Sequence, residues 1–122
     1  MALTGLDHIS VRTADVEATR AFYEKVLGLR SGPRPDFAFP GAWLYRGEQA
    51  VVHVIGVDHG GRGEGTGGFD HIAFAATDLD GMRKHFKACG VAFDERGVPG
   101  RPLYQIFLTD PNGVRIELNF AV

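Results

Sequence analysis

The chain contains one cysteine, Cys89, and one tryptophan, Trp43, in 122 residues. A lone cysteine cannot staple a fold internally, so a disulfide scaffold is excluded and a reducing, cytoplasmic setting is expected. Apolar runs are no longer than a strand, so no helix long enough to span a bilayer is expected. The net charge is only −2, which leaves no basic footprint for nucleic acid or an anionic membrane. The first residues, "MALTGLDH", lack a basic segment followed by an apolar stretch, and no secretory signal is expected. No nucleophilic triad is visible either. "GTGG" lacks the strand-turn-helix setting and the lysine that a phosphate-binding loop requires.

A composition of 44% hydrophobic and 23% charged residues is that of an ordinary globular protein. A chain of this length buries about two-thirds of its unfolded surface as one compact domain. The informative feature is repetition. "GLDHISVRTADVE" at 5–17 returns as "GFDHIAFAATDLD" at 68–80. The pairs Gly5/Gly68, Asp7/Asp70, His8/His71, Ile9/Ile72, Asp15/Asp78 and Arg20/Arg83 all share an offset of 63. Self-similarity at fixed spacing means that one supersecondary unit has been copied.

Residues 6–12 alternate as a strand, with Ile9 and Val11 on one face and His8, Ser10 and Arg12 on the other. "ADVEATRAFYEKVLG" reads as a helix with Asp15 as N-cap and Gly28 as its end. Its apolar face is expected to be Val16, Ala18, Phe22, Tyr23 and Val26. Strands follow near 28–32, 36–45 and 49–55, separated by "GPRP" and "RGEQ" turns. The second half repeats the plan: a strand at 69–76, the helix "LDGMRKHFKACG", and strands near 91–96, 103–109 and 114–120. "DPNG" at 110–113 makes the last hairpin turn. The expected fold is therefore α+β, one domain over 1–122 built from two tandem βαβββ modules. Module one covers about 5–55 and module two about 69–122. The glycine-rich segment 56–68 is a linker or a loop over a site.

Each module offers one polar residue of ligand type from its first strand and one from its last. These are His8 and His53, then His71 and Glu117. Period-two alternation sets His53 against Val52 and Val54, and Glu117 against Ile116 and Leu118. A buried polar group without a partner costs about 2–7 kcal/mol, so four such groups call for a common partner. Three imidazoles and a carboxylate suit one divalent ion, Zn, Ni, Fe, Mn or Co. Any one of these histidines alone reads better as a hydrogen-bonded core residue, so the signal lies in the symmetry. Arg12 is either a contact for a substrate carboxylate or a solvated strand end. Ser10 shares its face, and Arg115 and Asn119 flank Glu117 as further substrate candidates. Trp43 is a cleft wall or a core aromatic. His85 is a packing or partly exposed residue, His59 is solvated, and Cys89 is expected to be a small buried filler.

"LDHISVRTADVEATRAFYEKVLGL", "GTGGFDHIAF" and "DPNGVRIEL" resemble the vicinal oxygen chelate superfamily, which includes glyoxalase I, bleomycin-resistance proteins and related dioxygenases. The resemblance covers essentially the whole chain. It implies sheets curled around a divalent metal that grips adjacent substrate oxygens and stabilises a developing enolate. It also implies a homodimer, which exposed sheet edges favour independently. The fosfomycin-resistance and extradiol branches place a tyrosine ten residues before the glutamate, where this chain has Phe107. Four ligands, with one at His53, resemble glyoxalase I and methylmalonyl-CoA epimerase. Arg12 falls where glyoxalase I holds the glutathione carboxylate, although Val57 occupies its glutathione-binding asparagine position.

Three readings follow. One is a metal-dependent lyase or isomerase of glyoxalase type acting on a small substrate with vicinal oxygens, with Glu117 as ligand and proton-transfer base. Another is a non-heme Fe(II) dioxygenase. The third is a metal-free binder of the bleomycin-resistance kind.

Overall fold

The computed structural model describes Met1, residues 5–58 and residues 71–122. They form two compact units, divided between the fourth and fifth strands. Most of the glycine-rich linker, with His59 in it, lies outside the described residues.

The first unit contains β1 (Ile9–Thr13), α1 (Val16–Lys25), β2 (Arg30–Gly32), β3 (Gly41–Arg46) and β4 (Gln49–Gly56). Its four strands lie in the order β1-β4-β3-β2. β1 runs parallel to β4, and the other pairings are antiparallel. A parallel pair cannot be closed by a hairpin; the connection through α1 and the two intervening strands supplies the crossover. The second unit repeats this with β5 (His71–Ala76), α2 (Leu79–Ala88), β6 (Asp94–Gly97), β7 (Leu103–Thr109) and β8 (Arg115–Ala121). Its order is β5-β8-β7-β6, with β5 parallel to β8. Both units are therefore mixed sheets with one ten-residue helix each.

Caps fix the helices. Asp15 accepts from the Ala18 amide at 2.9 Å, and Asp78 accepts from the Gly81 amide at 3.1 Å. Asp78 does so from a left-handed conformation, φ 63°, which Asp tolerates better than most residues. A Cβ on Gly81 would collide with the Asp78 carboxylate, so the capping geometry demands glycine there. Gly28, at φ +73°, turns the chain out of α1 at no steric cost.

Alternation divides each sheet into two faces. Val11, Leu44, Val52 and Val54 are buried in the first unit with Tyr23 and Val26 of its helical segment, and α1 packs on β2, β3 and β4. In the second unit Ile72, Ile106, Ile116, Leu118 and Phe120 are buried, as is Phe86 of α2. "DPNG" forms the expected turn: the buried Asp110 carboxylate accepts from the amides of Asn112 and Val114, both at 2.8 Å.

Several local expectations need correction. Thr19, not Ala18, is buried on α1. Its hydroxyl donates to Thr13 Oγ1 at 3.0 Å, and that bond makes a buried threonine tolerable. The strand expected from 36 begins only at Gly41, because Pro35 and Pro40 carry no N–H for a ladder. The strand expected near 91–96 is Asp94–Gly97. Cys89 is the exposed C-cap of α2 and not a buried filler. Its Sγ lies 3.6 Å from Nε2 of the exposed His85. No helix among the described residues is long and apolar enough to cross a membrane.

Candidate functional site

In the first unit the polar face of β1 and β4 carries His8, Ser10, Arg12 and His53. Ser10 is the register partner of His53, and His8 precedes Ser10 by one alternation. The His8 and His53 rings stack at 3.7 Å between centroids, 11° from parallel. Trp43, opposite His53 across the β3–β4 ladder, also stacks on the His53 imidazole: its ring lies 3.9 Å from His53, again at 11°. The Asp7 carboxylate lies 2.7 Å from His8 Nδ1. A carboxylate accepts only, so Nδ1 carries a proton, and in the neutral ring Nε2 is the nitrogen that keeps its lone pair. Burial holds the His53 imidazole below the usual histidine range, and the neighbouring charge of His8 adds to the effect. A neutral imidazole is the form that can ligate a metal.

In the second unit His71 and Glu117 face each other at 3.7 Å, Nε2 to Oε1. Glu117 Oε2 is held by the Asn119 amide at 2.9 Å, and Asn119 Oδ1 accepts from Gln105 Nε2 at 3.0 Å. The chain Gln105–Asn119–Glu117 thus pins one carboxylate oxygen and leaves the other toward His71. Arg115 lies on the same face of β8, exposed, its guanidinium 4.8 Å from the centre of the Phe107 ring.

The donors suit a divalent ion. A separation of 3.7 Å is too long for a hydrogen bond. It matches the span of two metal bonds of about 2.1 Å meeting at a wide angle. The carboxylate on His8 Nδ1 and the amide on Glu117 Oε2 are the kind of outer contacts that orient metal ligands. Each unit by itself gathers two of the four expected donors; among the described residues no group of three or more His, Cys, Asp or Glu forms a metal site.

Of the eight expected site residues, His8, Ser10, Arg12 and His53 share one face of the first sheet. His71, Arg115, Glu117 and Asn119 share one face of the second. Trp43 is half-buried against His53, between the two roles expected of it. Sequence reasoning missed the parts played by Asp7 and Gln105. Asp7 was visible as a repeated residue beside each histidine. Gln105 was within reach through the hairpin register, which sets it directly opposite Asn119.

Comparison with known proteins agrees with this architecture. A family model described as Glyoxalase/Bleomycin resistance protein/Dioxygenase superfamily matches residues 5–118. "Glyoxylase I 4" of Arabidopsis thaliana is 30% identical over 125 residues, covering 95% of this chain and 70% of that protein. Lactoylglutathione lyase of Haemophilus influenzae is 31% identical, covering 90% of this chain and 87% of that one. Mitochondrial methylmalonyl-CoA epimerase of Bos taurus is 27% identical, covering 95% and 74%. Among solved structures, a mutant of the fosfomycin resistance protein FosX from Listeria monocytogenes superposes with a TM-score of 0.79. It is 20% identical and covers 99% of this chain and 95% of its own. That protein was crystallised with Mn(II) and 1S,2S-dihydroxypropylphosphonic acid. A match across nearly the whole length, on a fold built from the same repeated unit, makes this chain a member of the Glyoxalase/Bleomycin resistance protein/Dioxygenase superfamily.

Proposed function

We propose that the chain is a metal-dependent isomerase or lyase of glyoxalase type, acting on a small substrate with two adjacent oxygens. The observation that carries this reading is the Glu117 carboxylate, with Oε2 fixed by Asn119 and Oε1 set 3.7 Å from His71 Nε2. His8 and His53 complete the donor set. A divalent ion bound there, Zn, Ni, Fe, Mn or Co, would supply Lewis-acid polarisation of the paired oxygens.

Glu117 takes the proton from the carbon bearing the substrate hydroxyl and returns it to the neighbouring carbonyl carbon. The hydroxyl proton passes between the two oxygens, so the reaction is an isomerisation that needs no co-reactant. The Asn119 amide keeps the carboxylate in one orientation throughout, which is the positioning that efficient proton transfer requires. Ser10 and Arg12 in the first unit, and Arg115 and Asn119 in the second, are the substrate contacts in this reading. The protein works in the cytoplasm as a homodimer, and sedimentation at micromolar concentration is expected to give twice the 13.2 kDa chain mass.

The test starts with protein purified without a metal-affinity tag, followed by elemental analysis and titration with each ion. The reloaded protein is then screened against thiohemiacetals and other α-hydroxycarbonyl compounds with an oxygen electrode in the cell. One ion per chain and turnover without oxygen uptake are expected. Stoichiometric oxygen uptake would replace the isomerase with a dioxygenase, and failure to bind any ion would leave only a metal-free binding protein.

A further inference from the structure

We infer that the first unit carries a binding shelf for an aryl group, formed by Phe37 and Phe39 against Trp43, which selects substrates with a flat apolar substituent beside the two oxygens. As a selectivity device it rests on the isomerase reading above; as a binding site it does not.

The shelf is built by the connection between β2 and β3, residues 33–40. Its sequence, "PRPDFAFP", carries three prolines, which have no N–H for a ladder and keep it out of the sheet. The Phe37 amide donates to the Pro35 carbonyl at 2.8 Å, and Arg34 Nη2 donates to the Phe39 carbonyl at 3.1 Å. The Arg34 guanidinium also lies 5.1 Å from the centre of the Phe37 ring and 5.3 Å from that of Phe39. Both distances are within reach of a cation–π attraction. Gly41 makes room for this arrangement: a Cβ there would press on Arg34 Nη2 at 3.3 Å and collide with the Val54 carbonyl oxygen. The two phenyl rings stack at 4.8 Å, 14° from parallel. One arginine thus sets both rings before any ligand arrives, which lowers the ordering cost of binding.

The rings stand beside the expected metal donors. Phe37 meets Trp43 at 6.4 Å between centroids, tilted by 52°, and Trp43 stacks on His53. Aromatic contacts therefore run without a break from Phe39 to the His53–His8 pair. Phe37 and Phe39 are nevertheless each 41% exposed, although phenylalanine is among the residues most often buried. The fold does not require them. The matching connection in the second unit, "VPGRP" at 98–102, holds no aromatic residue.

The exposed area decides between occupants. A fully exposed phenylalanine presents about 200 Å², so the two rings offer about 160 Å² together. A subunit interface needs about 800 Å² from each partner. The shelf falls far short of that and suits a single small ring. Offset or edge-to-face pairing favours a flat ring over a branched aliphatic group. Only Trp43 stands between Phe37 and His53, so a substrate held by its oxygens at the donors can lay an aryl substituent on the shelf without a long linker.

The experiment uses full-length protein, metal-free and reloaded with Zn(II), each titrated with mandelate and with lactate. The two acids differ by a phenyl in place of a methyl group. The readouts are the indole Nε1–H resonance of Trp43, the single tryptophan, and the amides of Phe37 and Phe39. Mandelate should shift all three saturably in both forms and bind about tenfold or more tighter than lactate, because the phenyl group buries more apolar area. The double variant Phe37→Ser, Phe39→Ser should bind the two acids equally. Phe37→Leu keeps apolar bulk in place and should weaken mandelate about two- to tenfold, the worth of an aromatic pair beyond its area. Val122→Ser, at an exposed apolar residue of the second unit, should bind as the parent does. Equal affinity for both acids in the parent, or a preference that survives the double variant, would overturn the shelf. A double variant that sediments lighter than the parent while binding mandelate unchanged would assign the rings to a contact between copies instead. Mandelate selectivity in a protein that takes up no metal would leave the shelf standing and remove the isomerase. Metal uptake with no preference between the acids would do the reverse.

Discussion

The Trp43 indole lies parallel to the His53 imidazole, 3.9 Å between centroids and 11° between planes. The second unit places an aromatic at the corresponding point, since Phe107 is the register partner of Glu117 as Trp43 is of His53. In both copies the polar residue of the last strand therefore has an aromatic residue directly opposite it on the neighbouring strand. Such a ring adds packing without adding a competing hydrogen-bond partner for the donor.

Because Trp43 is the single tryptophan, the emission comes from one indole, which is stacked on His53. Open-shell ions quench indole fluorescence at contact distance, so Ni(II) or Co(II) should quench it with saturation at one ion per chain. His53→Ala should abolish the quench. Trp43→Leu, followed by calorimetry, should weaken metal binding about tenfold, as loss of an orienting contact does. Unchanged emission in a protein shown to hold metal would place the ion away from His53.

The buried Thr13–Thr19 pair makes a separate stability prediction. Thr13 Oγ1 accepts from the Asp15 amide and the Thr19 hydroxyl, and it donates to the Asp15 carbonyl. Thr19→Val removes one of these bonds and should cost about 1 kcal/mol; Thr13→Val removes all of them and should cost about 2. Urea unfolding with unchanged slope measures both. Equal losses would mean that the two bonds to Asp15 add nothing, and no loss in either variant would mean that the network contributes nothing beyond shape.

How much of this was legible depended on which signal carried it. The copied phrase placed both helices, and alternation placed Val52, Val54, Ile116 and Leu118 in the core with His53 and Glu117 on the opposite faces. Thr19 was not legible, because a threonine on a helix face looks polar until its partner is known. The second copy has Ala76 and Met82 at the matching positions, so the hydroxyl pair belongs to one copy only. Cys89 was misread because a helix end overrides the small hydrophobic character of the residue. The Gln105–Asn119–Glu117 chain required the hairpin register, which the turn sequence allowed but did not state.

Acid stability should depend on Glu95. Its Oε1 accepts from Arg83 Nε at 2.9 Å and Nη2 at 2.6 Å, and from the Tyr104 hydroxyl at 2.8 Å. The Arg83 hydrogen bonds, helped by Tyr104, hold this carboxyl below its usual range. The unfolded chain therefore binds the proton first as pH falls. The stabilisation is complete above the ordinary glutamate pKa, about 4.3, and is lost as pH drops through the lower folded value. Arg83→Gln should flatten that acid limb and lower stability only slightly at neutral pH, because solvent screens a partly exposed pair. A melting-temperature profile from pH 7 to 2.5 with identical acid limbs would refute the assignment.

Glu117→Gln separates a ligand from a base, and the hydrogen bonds around it decide how. Gln105 donates to Asn119 Oδ1, which fixes Asn119 with its amide N–H toward Glu117 Oε2. The new side-chain carbonyl must then face Asn119, and its NH2 must take the place of Oε1 beside His71. That position can no longer bind a cation, so metal affinity should fall. Excess metal should restore occupancy through the remaining donors. If Glu117 is also the proton acceptor, the metal-saturated variant should stay slower by about 10²–10⁴-fold, the usual worth of a general base. His53→Gln is the control, because it removes an imidazole ligand and leaves the carboxylate in place. Once saturated with metal it should recover most of the turnover. Recovery of both variants to the same rate would show that Glu117 only holds the ion, and the proton would then need another acceptor.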